Sequence, residues 1–477
     1  MNAPVVRITN ISIQNFKNVI HGSLSLENPR KDYKASIVGL YGQNGSGKTS
    51  VIEALDLLKH VLCGHSIPLE FADYINVDSE AATFSFEFRI MTAAGPQTVS
   101  YQFSVKSVPD ETAQNASSPN QNQRRVVVFH ELLKCPILSD KQTKMGRLID
   151  TNSEDGFSPA PKRRLLLGNE KQVATNCLVA RKLAEASSRS FIFSRELLEM
   201  IRENVRNHFN QEEQQDKELV FYASIIESLV AFGNYSLFVV RTSHTGLISL
   251  NAQPLMFKIR EGRQGYQGFL MLPLDTPVEI QEQTRIVVEK IISNMNIVLT
   301  QLIPGLTIGV KDLGSLVLPD GERGERIQLM SHRDNQEMPL QYESEGIKKI
   351  ISILQLLIVV YNQPSMTVAI DELDAGVFEY LLGELLRIIS EKGKGQLIFT
   401  SHNLRPLETL DRGFIAFTTT NPKHRYIRMT NVKDNNNLRD FYYRDIMLGE
   451  QDEELYEPTH NAEISLAFRE AGEFSGT

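Results

Sequence analysis

Cysteine is scarce: Cys63, Cys135 and Cys177 are the only three in 477 residues. They lie too far apart in sequence for a disulfide framework or a zinc cluster, and they suit a reducing compartment as small core residues. No stretch approaches the roughly 18 continuous apolar residues of a membrane-spanning helix. The greasiest run, 350–361, is interrupted by Ser352 and Gln355 and reads as a buried helix. The run from Met1 to Phe16 holds one arginine, no continuous apolar stretch and no small-residue cleavage site, so no export signal is expected and the chain is assigned to the cytoplasm, away from membranes. Positive charge is also in deficit, with 50 Lys and Arg against 58 Asp and Glu, a net charge of −8. A protein holding nucleic acid over its whole surface would be basic, so any such contact here is local. No heptad pattern lasts beyond a few turns, which excludes a long coiled coil, and no internal repeat is present.

What remains is an ordinary globular composition, 41% hydrophobic and 23% charged, at a length that suits about three domains or one domain with a large insertion. Ile8, Ile11, Ile13 and Phe16 sit among polar residues and predict one or two half-buried strands. Ala35–Tyr41 is nearly all apolar, as in a strand covered on both faces. A glycine-rich stretch follows, then Thr49–Leu62 with Val51, Ile52, Leu55, Leu58 and Leu62 at helical spacing. Alternation at Phe84, Phe86 and Phe88 and again at Tyr101, Phe103 and Val105 predicts a hairpin. Residues 108–123 read as an exposed mobile loop, 126–132 as a strand, 139–173 as loop, and 178–232 as helix. Thr276–Leu302 predicts a further helix, stopped by Pro304-Gly305. Beyond residue 340 the pattern becomes helix 344–361, strand 366–370, helix 376–392 and strand 396–400, followed by a polar carboxy-terminal segment.

Gly42-Gln43-Asn44-Gly45-Ser46-Gly47-Lys48-Thr49 fits G-x-x-x-x-G-K-[ST] at every fixed position. Glycines let backbone N–H groups converge on phosphate oxygens where a Cβ would collide, and the helix starting at Lys48 adds its positive dipole end. Lys48 reaches the β- and γ-phosphates, and the Thr49 hydroxyl suits magnesium. Gly42, Asn44, Gly45, Ser46, Gly47, Lys48, Thr49 and Ser50 are the candidate nucleotide contacts.

Met366–Glu372 is an apolar strand ending in two acids. Carboxylates at the rim of a parallel sheet face the crevice where ligands bind. There Asp371 suits the magnesium site and Glu372 the general base for an attacking water. Gln396–His402 is another strand ending in polar groups, and a neutral His402 imidazole would hydrogen-bond the γ-phosphate or the water. Ser344-Glu345-Gly346 opens the helix before the acidic strand, with Ser344 as N-cap and Gly346 leaving backbone donors open for an anion. A plain capped helix fits that spacing as well.

Together these pieces resemble the ATP-binding-cassette ATPases of the RecF/SMC/OLD branch, over roughly residues 1–62 and 335–420. Ile13, Asn15, Phe16 and Lys17 look like that branch's first strands, GQNGSGKT its Walker A, and SEG its signature motif. AIDELDAG looks like its Walker B followed by a D-loop at Asp374, and TSHN like its H-loop. The resemblance implies that Ser344 and Gly346 act on a nucleotide held by another copy, and hence a homodimer or higher homo-oligomer. It also implies a Q-loop glutamine in the middle region, not located by spacing. The predicted fold is α/β: an ABC-type P-loop head, a mixed sheet with flanking helices, split by a largely helical insertion. Residues 1–62 form its first half, 63–335 the remaining strands of that lobe plus the insertion, 336–420 the second half, and 421–477 a segment for partner contact.

Two departures from the family narrow the function. The chain lacks the long coiled-coil insertion of the SMC members. Only 74 residues follow Asn403, too few for the Toprim domain of OLD nucleases, and no metal-nuclease spacing is recognisable. The expectation is a bare ATPase that binds ATP and Mg²⁺, similar to subunits of anti-phage modules such as Septu or PARIS, with a separate nuclease effector encoded nearby. In one form of that reading, the oligomer stores the effector until triggered. The alternative is a RecF-like ATPase that clamps DNA, to which Arg124–Arg125 and Lys162–Arg164 would contribute. The stretch 418–444, rich in Arg, Lys, Tyr and Asn, reads either as a docking surface for nucleic acid or a partner, or as a hairpin with a solvated face, the latter favoured.

Overall fold

Val6, Ile8, Ile11, Ile13 and Phe16 are all buried on one strand, Val6–Phe16, in which a register shift between Ile8 and Asn10 carries the alternation past one extra residue. The computed structural model describes residues 5–30, 34–92, 95–110, 124–137, 144–154, 156–168, 171–208, 214–241, 252–261, 264–273, 276–319, 321–333, 336–430, 437–449 and 451–473. Val6–Phe16 lies in a six-stranded antiparallel sheet ordered Val19–Ser25, Val6–Phe16, Ala81–Thr92, Gly95–Pro109, Arg124–Pro136, Met145–Asp150. The predicted hairpin is its centre: Phe84 pairs with Phe103, their rings stacked 5.4 Å apart. Most of the loop expected over 108–123 lies outside the described residues.

A second six-stranded sheet is ordered Tyr426–Ile427, Ile415–Thr418, Ser36–Tyr41, Gln396–Thr400, Thr367–Ile370, Leu237–Val240, with every pairing parallel except that of the first strand. Its strands are largely apolar because both faces are covered. Val38, Leu40, Ala369 and Ile398 face a core shared with the helix Lys48–Leu62 and the antiparallel sheet. Ile37, Tyr41, Val368, Ile370, Leu397 and Phe399 face the helices Glu345–Asn362 and Glu379–Lys392. The helix Lys48–Leu62 is thus clamped between two sheets, which explains why nearly all of its residues are buried. The mixed α/β architecture with flanking helices is as expected.

The segment between the two halves departs from expectation. It carries strand as much as helix: four strands of the antiparallel sheet, from Ala81 to Asp150, are the expected remainder of the lobe, and a smaller sheet stands where the insertion is expected to be largely helical. Residues 139–173 are not simply loop. Met145–Asp150 is a strand paired with Leu132–Pro136, and Ala160–Leu167 is a helix that buries Leu166 and Leu167. The short strand hides its pattern because only Leu148, Ile149 and Asp150 are buried. The helices Lys171–Ala186, Arg195–His208 and Gln214–Tyr235 occupy the predicted helical stretch. The later helix begins at Glu282 rather than Thr276, because Val278–Gln281 pairs as a strand with Gly324–Ile327. That strand, Leu306–Val317, Arg323–Arg333 and Gln336–Pro339 form a small sheet under the helix Glu282–Leu302, which shares a core with Ile351 and Leu354.

Candidate functional site

Five parallel strands end on one rim, because parallel register carries each strand in the same direction. Gly39 pairs with Phe399, Ile370 with Phe399 and Val240, and Tyr41 with Phe417. The residues that follow these strands are Gly42, Ser401, Asp371, Arg241 and Thr419, so the glycine loop, the acid pair and the 401–402 corner emerge together.

The loop has the backbone its glycines permit. Gly42, Gly45 and Gly47 have φ of 149°, 75° and 92°. At Gly42 a Cβ would lie 1.9 Å from Thr418 Oγ1, so no other residue fits there. Gly47 caps the helix in the left-handed region, with no side-chain cap, which directs the first backbone N–H groups outward from the helix. Lys48 is buried and its Nζ donates to the carbonyls of Gly42 (2.8 Å) and Gln43 (3.0 Å). Burial lowers its proton affinity below that of ordinary lysine, and Asp371, Glu372 and Asp374 act in the opposite direction. Ser46 donates to Gln43 O at 2.6 Å and shares a short hydroxyl contact with Thr418. Asn44 and Gly45 are exposed at the loop tip, and Ser50 is buried in the helix.

Asp371 is fully buried, and its Oδ1 accepts from Thr49 Oγ1 (3.3 Å) and Thr400 Oγ1 (2.6 Å). Thr400 Oγ1 also accepts from the Glu372 backbone N–H at 2.7 Å. Glu372 adopts φ +49°, a left-handed conformation rare for a side chain of its size, which turns the chain sharply at the strand end. Asp374 Oδ2 accepts from the backbone N–H groups of His402 (3.1 Å) and Asn403 (2.9 Å), tying the two rim corners together. His402 itself is exposed there. Ser344 caps the helix Glu345–Asn362, its Oγ accepting from Ile347 N at 3.4 Å, and it is exposed. Gly346 packs against the turn after the acids, where a Cβ would meet Gly376 O at 2.5 Å.

The Thr49 hydroxyl and the Asp371 carboxylate are hard oxygen donors within bonding distance of each other, the pair that Mg²⁺ takes from a protein when phosphate oxygens and water supply the rest. Among the described residues no three His, Cys, Asp or Glu side chains gather to hold a metal by themselves.

Several site neighbours carry no signal in spacing. Thr400 stands within the TSHN stretch, where spacing assigns it no role. Asn18 Nδ2 donates to Gly45 O, and Tyr426 OH donates to Gly47 O at 2.9 Å. Arg425 is buried and donates to Thr419 O and Asn18 O, and Arg428 donates to Gly413 O and Ile415 O. Within the stretch 418–444, Arg425 is thus bound to backbone carbonyls beside the phosphate loop and Arg428 to those of Gly413 and Ile415, while Lys423 and His424 are exposed. No glutamine stands where the strand beside Asp371 ends. Arg241 does, buried against Asp56 (3.2 Å), Glu70 and Tyr74 (2.9 Å).

Residues 37–157 match the family model described as "AAA domain, putative AbiEii toxin, Type IV TA system". That stretch holds the phosphate loop, its helix and four strands of the antiparallel sheet. No curated protein sequence matches the chain. Among solved structures, it is similar to an SMC head bound to the C-terminal winged-helix domain of ScpA, at 10% identity and a TM-score of 0.37, covering 89% of this chain and 98% of that one. A Pyrococcus furiosus Smc head domain with an extended coiled coil, bound to the C-terminal domain of ScpA, is similar at 13% identity and a TM-score of 0.37, with 89% and 96% covered. The SMC head domain from Thermotoga maritima follows at 11% identity and a TM-score of 0.35, with 89% and 99% covered.

Proposed function

We propose that this chain is an ATPase of the ATP-binding-cassette type, in which Mg-ATP closes two copies on each other and thereby controls a separate effector. The observation that carries the reading is the rim itself: the phosphate loop, Thr49, Asp371 and Glu372 converge from strands that are distant in sequence. In this reading Lys48 and the loop N–H groups hold the β- and γ-phosphates, and Thr49 and Asp371 hold Mg²⁺, which supplies charge neutralisation when bound. Glu372 orients and deprotonates the attacking water, His402 hydrogen-bonds it or the γ-phosphate, and Asp374 fixes the corner carrying His402. The exposed Ser344 and the open helix start at Gly346 are free to meet the γ-phosphate held by another copy.

The effector is proposed to be a nuclease encoded nearby and the setting anti-phage defence. Residues 1–62 and 336–420, with the remaining lobe strands from 63–335, are assigned to the ATPase head, and partner contact to 421–477, whose helix Asn461–Glu473 is exposed over 461–472. A DNA clamp is less well supported. Arg124 pairs with Asp73 (3.0 Å), Arg125 donates to Glu185 O, and Lys162 pairs with Glu218 (2.5 Å).

The test is ATP titration of the full chain with Mg²⁺, phosphate release, and light scattering with and without nucleotide. Absence of ATP binding refutes the reading; turnover without any change in mass refutes the closure step.

A further inference from the structure

The helix capped by Ser344 meets the acid turn of its own chain at its first turn. There Gly346 meets the Gly376 carbonyl so closely that no Cβ fits. Three residues on, and therefore on the same helix face, stands Lys349. Lys349 is 5% exposed, and its Nζ is buried with no hydrogen-bond partner among the described residues. The carboxylates that act on it are Asp374, Glu372 and Asp371, in that order. Asp374 Oδ1 is likewise buried and unpartnered, while Oδ2 takes the two backbone donors of the 402–403 corner. The adjacent Lys348 is used differently, pairing with Glu345 at 2.6 Å.

A buried ammonium without a partner is costly, and a structural lysine would have been satisfied as Lys348 is. Lys349 instead brings a second positive charge to the three carboxylates that also act on Lys48. Resting on the ATPase reading above, we propose that Lys349 is a positioning residue for the candidate base: its ammonium holds the turn carrying Glu372 and Asp374 against the helix that begins at Ser344. Glu372 is already in a left-handed backbone conformation, so its placement depends on what holds this turn. A phosphate from a second copy that engages Ser344 pulls on the same helix and, through Lys349, sets Glu372. Closure and hydrolysis are thereby coupled through one side chain.

The experiment compares the full-length wild type with Lys349→Met, Lys349→Arg and Lys48→Ala for ATP affinity in the presence of Mg²⁺ and for kcat and KM. The expected result for Lys349→Met is a kcat lowered about tenfold to a hundredfold, the size of a misplaced reacting group, with nucleotide affinity unchanged. Lys349→Arg, which keeps the charge, recovers most of that loss. A normal kcat in Lys349→Met overturns the proposal. So does a large loss of affinity, which would make Lys349 a phosphate ligand instead. If Lys349→Met does not fold, Asp374→Asn is read in its place, with the same split expected and an unchanged kcat counting against. A wild type that binds no ATP sinks the ATPase reading and this proposal together, whereas normal turnover in Lys349→Met sinks only the latter.

Discussion

The Thr49 hydroxyl donates to Asp371 Oδ1 over 3.3 Å, joining the start of one helix to the end of a strand 322 positions later. Neither residue could reach the other unless the strands Ser36–Tyr41 and Thr367–Ile370 ran parallel in one sheet, with Gln396–Thr400 between them. The pair ties the phosphate-binding half of the rim to its acidic half, and the predictions below follow from that connection.

Lys48→Ala removes the only loop side chain able to make charge-assisted bonds to both terminal phosphates, each worth about 1.5–3 kcal/mol. ATP affinity should fall about a hundredfold or more by calorimetry, and equal affinity would refute the assignment. Because burial lowers the proton affinity of Lys48, the charged form is lost at a lower pH than in an exposed lysine. Affinity should therefore decline on the alkaline side before pH 10.5, and Lys48→Arg should flatten the decline.

Glu372→Gln keeps shape and removes the base. Hydrolysis should slow by about 10²–10⁴, while ATP binding persists and closed dimers accumulate in gel filtration. Normal turnover would mean that another group activates the water.

Glu372→Gly tests the strain at the same position. A non-glycine residue in the left-handed region costs about 1–2 kcal/mol, partly offset by the extra unfolded-state freedom that glycine brings, about 0.5–1 kcal/mol. The variant should be as resistant to urea as the wild type, or slightly more so, and inactive in hydrolysis. Clear destabilisation would show that the Glu372 side chain holds the fold.

Thr400→Val replaces a buried hydroxyl that both donates to Asp371 and accepts from the Glu372 N–H. Leaving those groups unpaired should cost about 1–3 kcal/mol of stability in urea denaturation. It should also reduce kcat more than ATP affinity, with Thr400→Ser close to wild type. A valine variant of unchanged stability would show that water takes over both bonds.

Some of this is legible in the amino-acid order alone. The strand–loop–helix at 36–62 and the elements after residue 344 follow from runs of apolar residues bounded by glycine or polar caps. Other parts are not. Met145–Asp150 and Val278–Gln281 become strands only because longer partners offer them an edge, and a four- to six-residue pattern cannot announce that. Arg425 and Arg428 read as surface charge, yet both satisfy backbone carbonyls, Arg425 beside the phosphate loop and Arg428 at Gly413 and Ile415, since an arginine's fate depends on which acceptors lie nearby. Thr418, Tyr426 and Asn18 have no motif at all.

What the amino-acid order determined unaided was the phosphate loop, for its conformation is local: three closely spaced glycines, a lysine and a threonine need only their own backbone angles and the helix they start. What only the folded chain decided was who stands around that loop. Parallel strands meet through hydrogen bonds between residues hundreds of positions apart, so the gathering of Thr49, Asp371, Thr400 and Thr418 depended on the whole sheet being assembled.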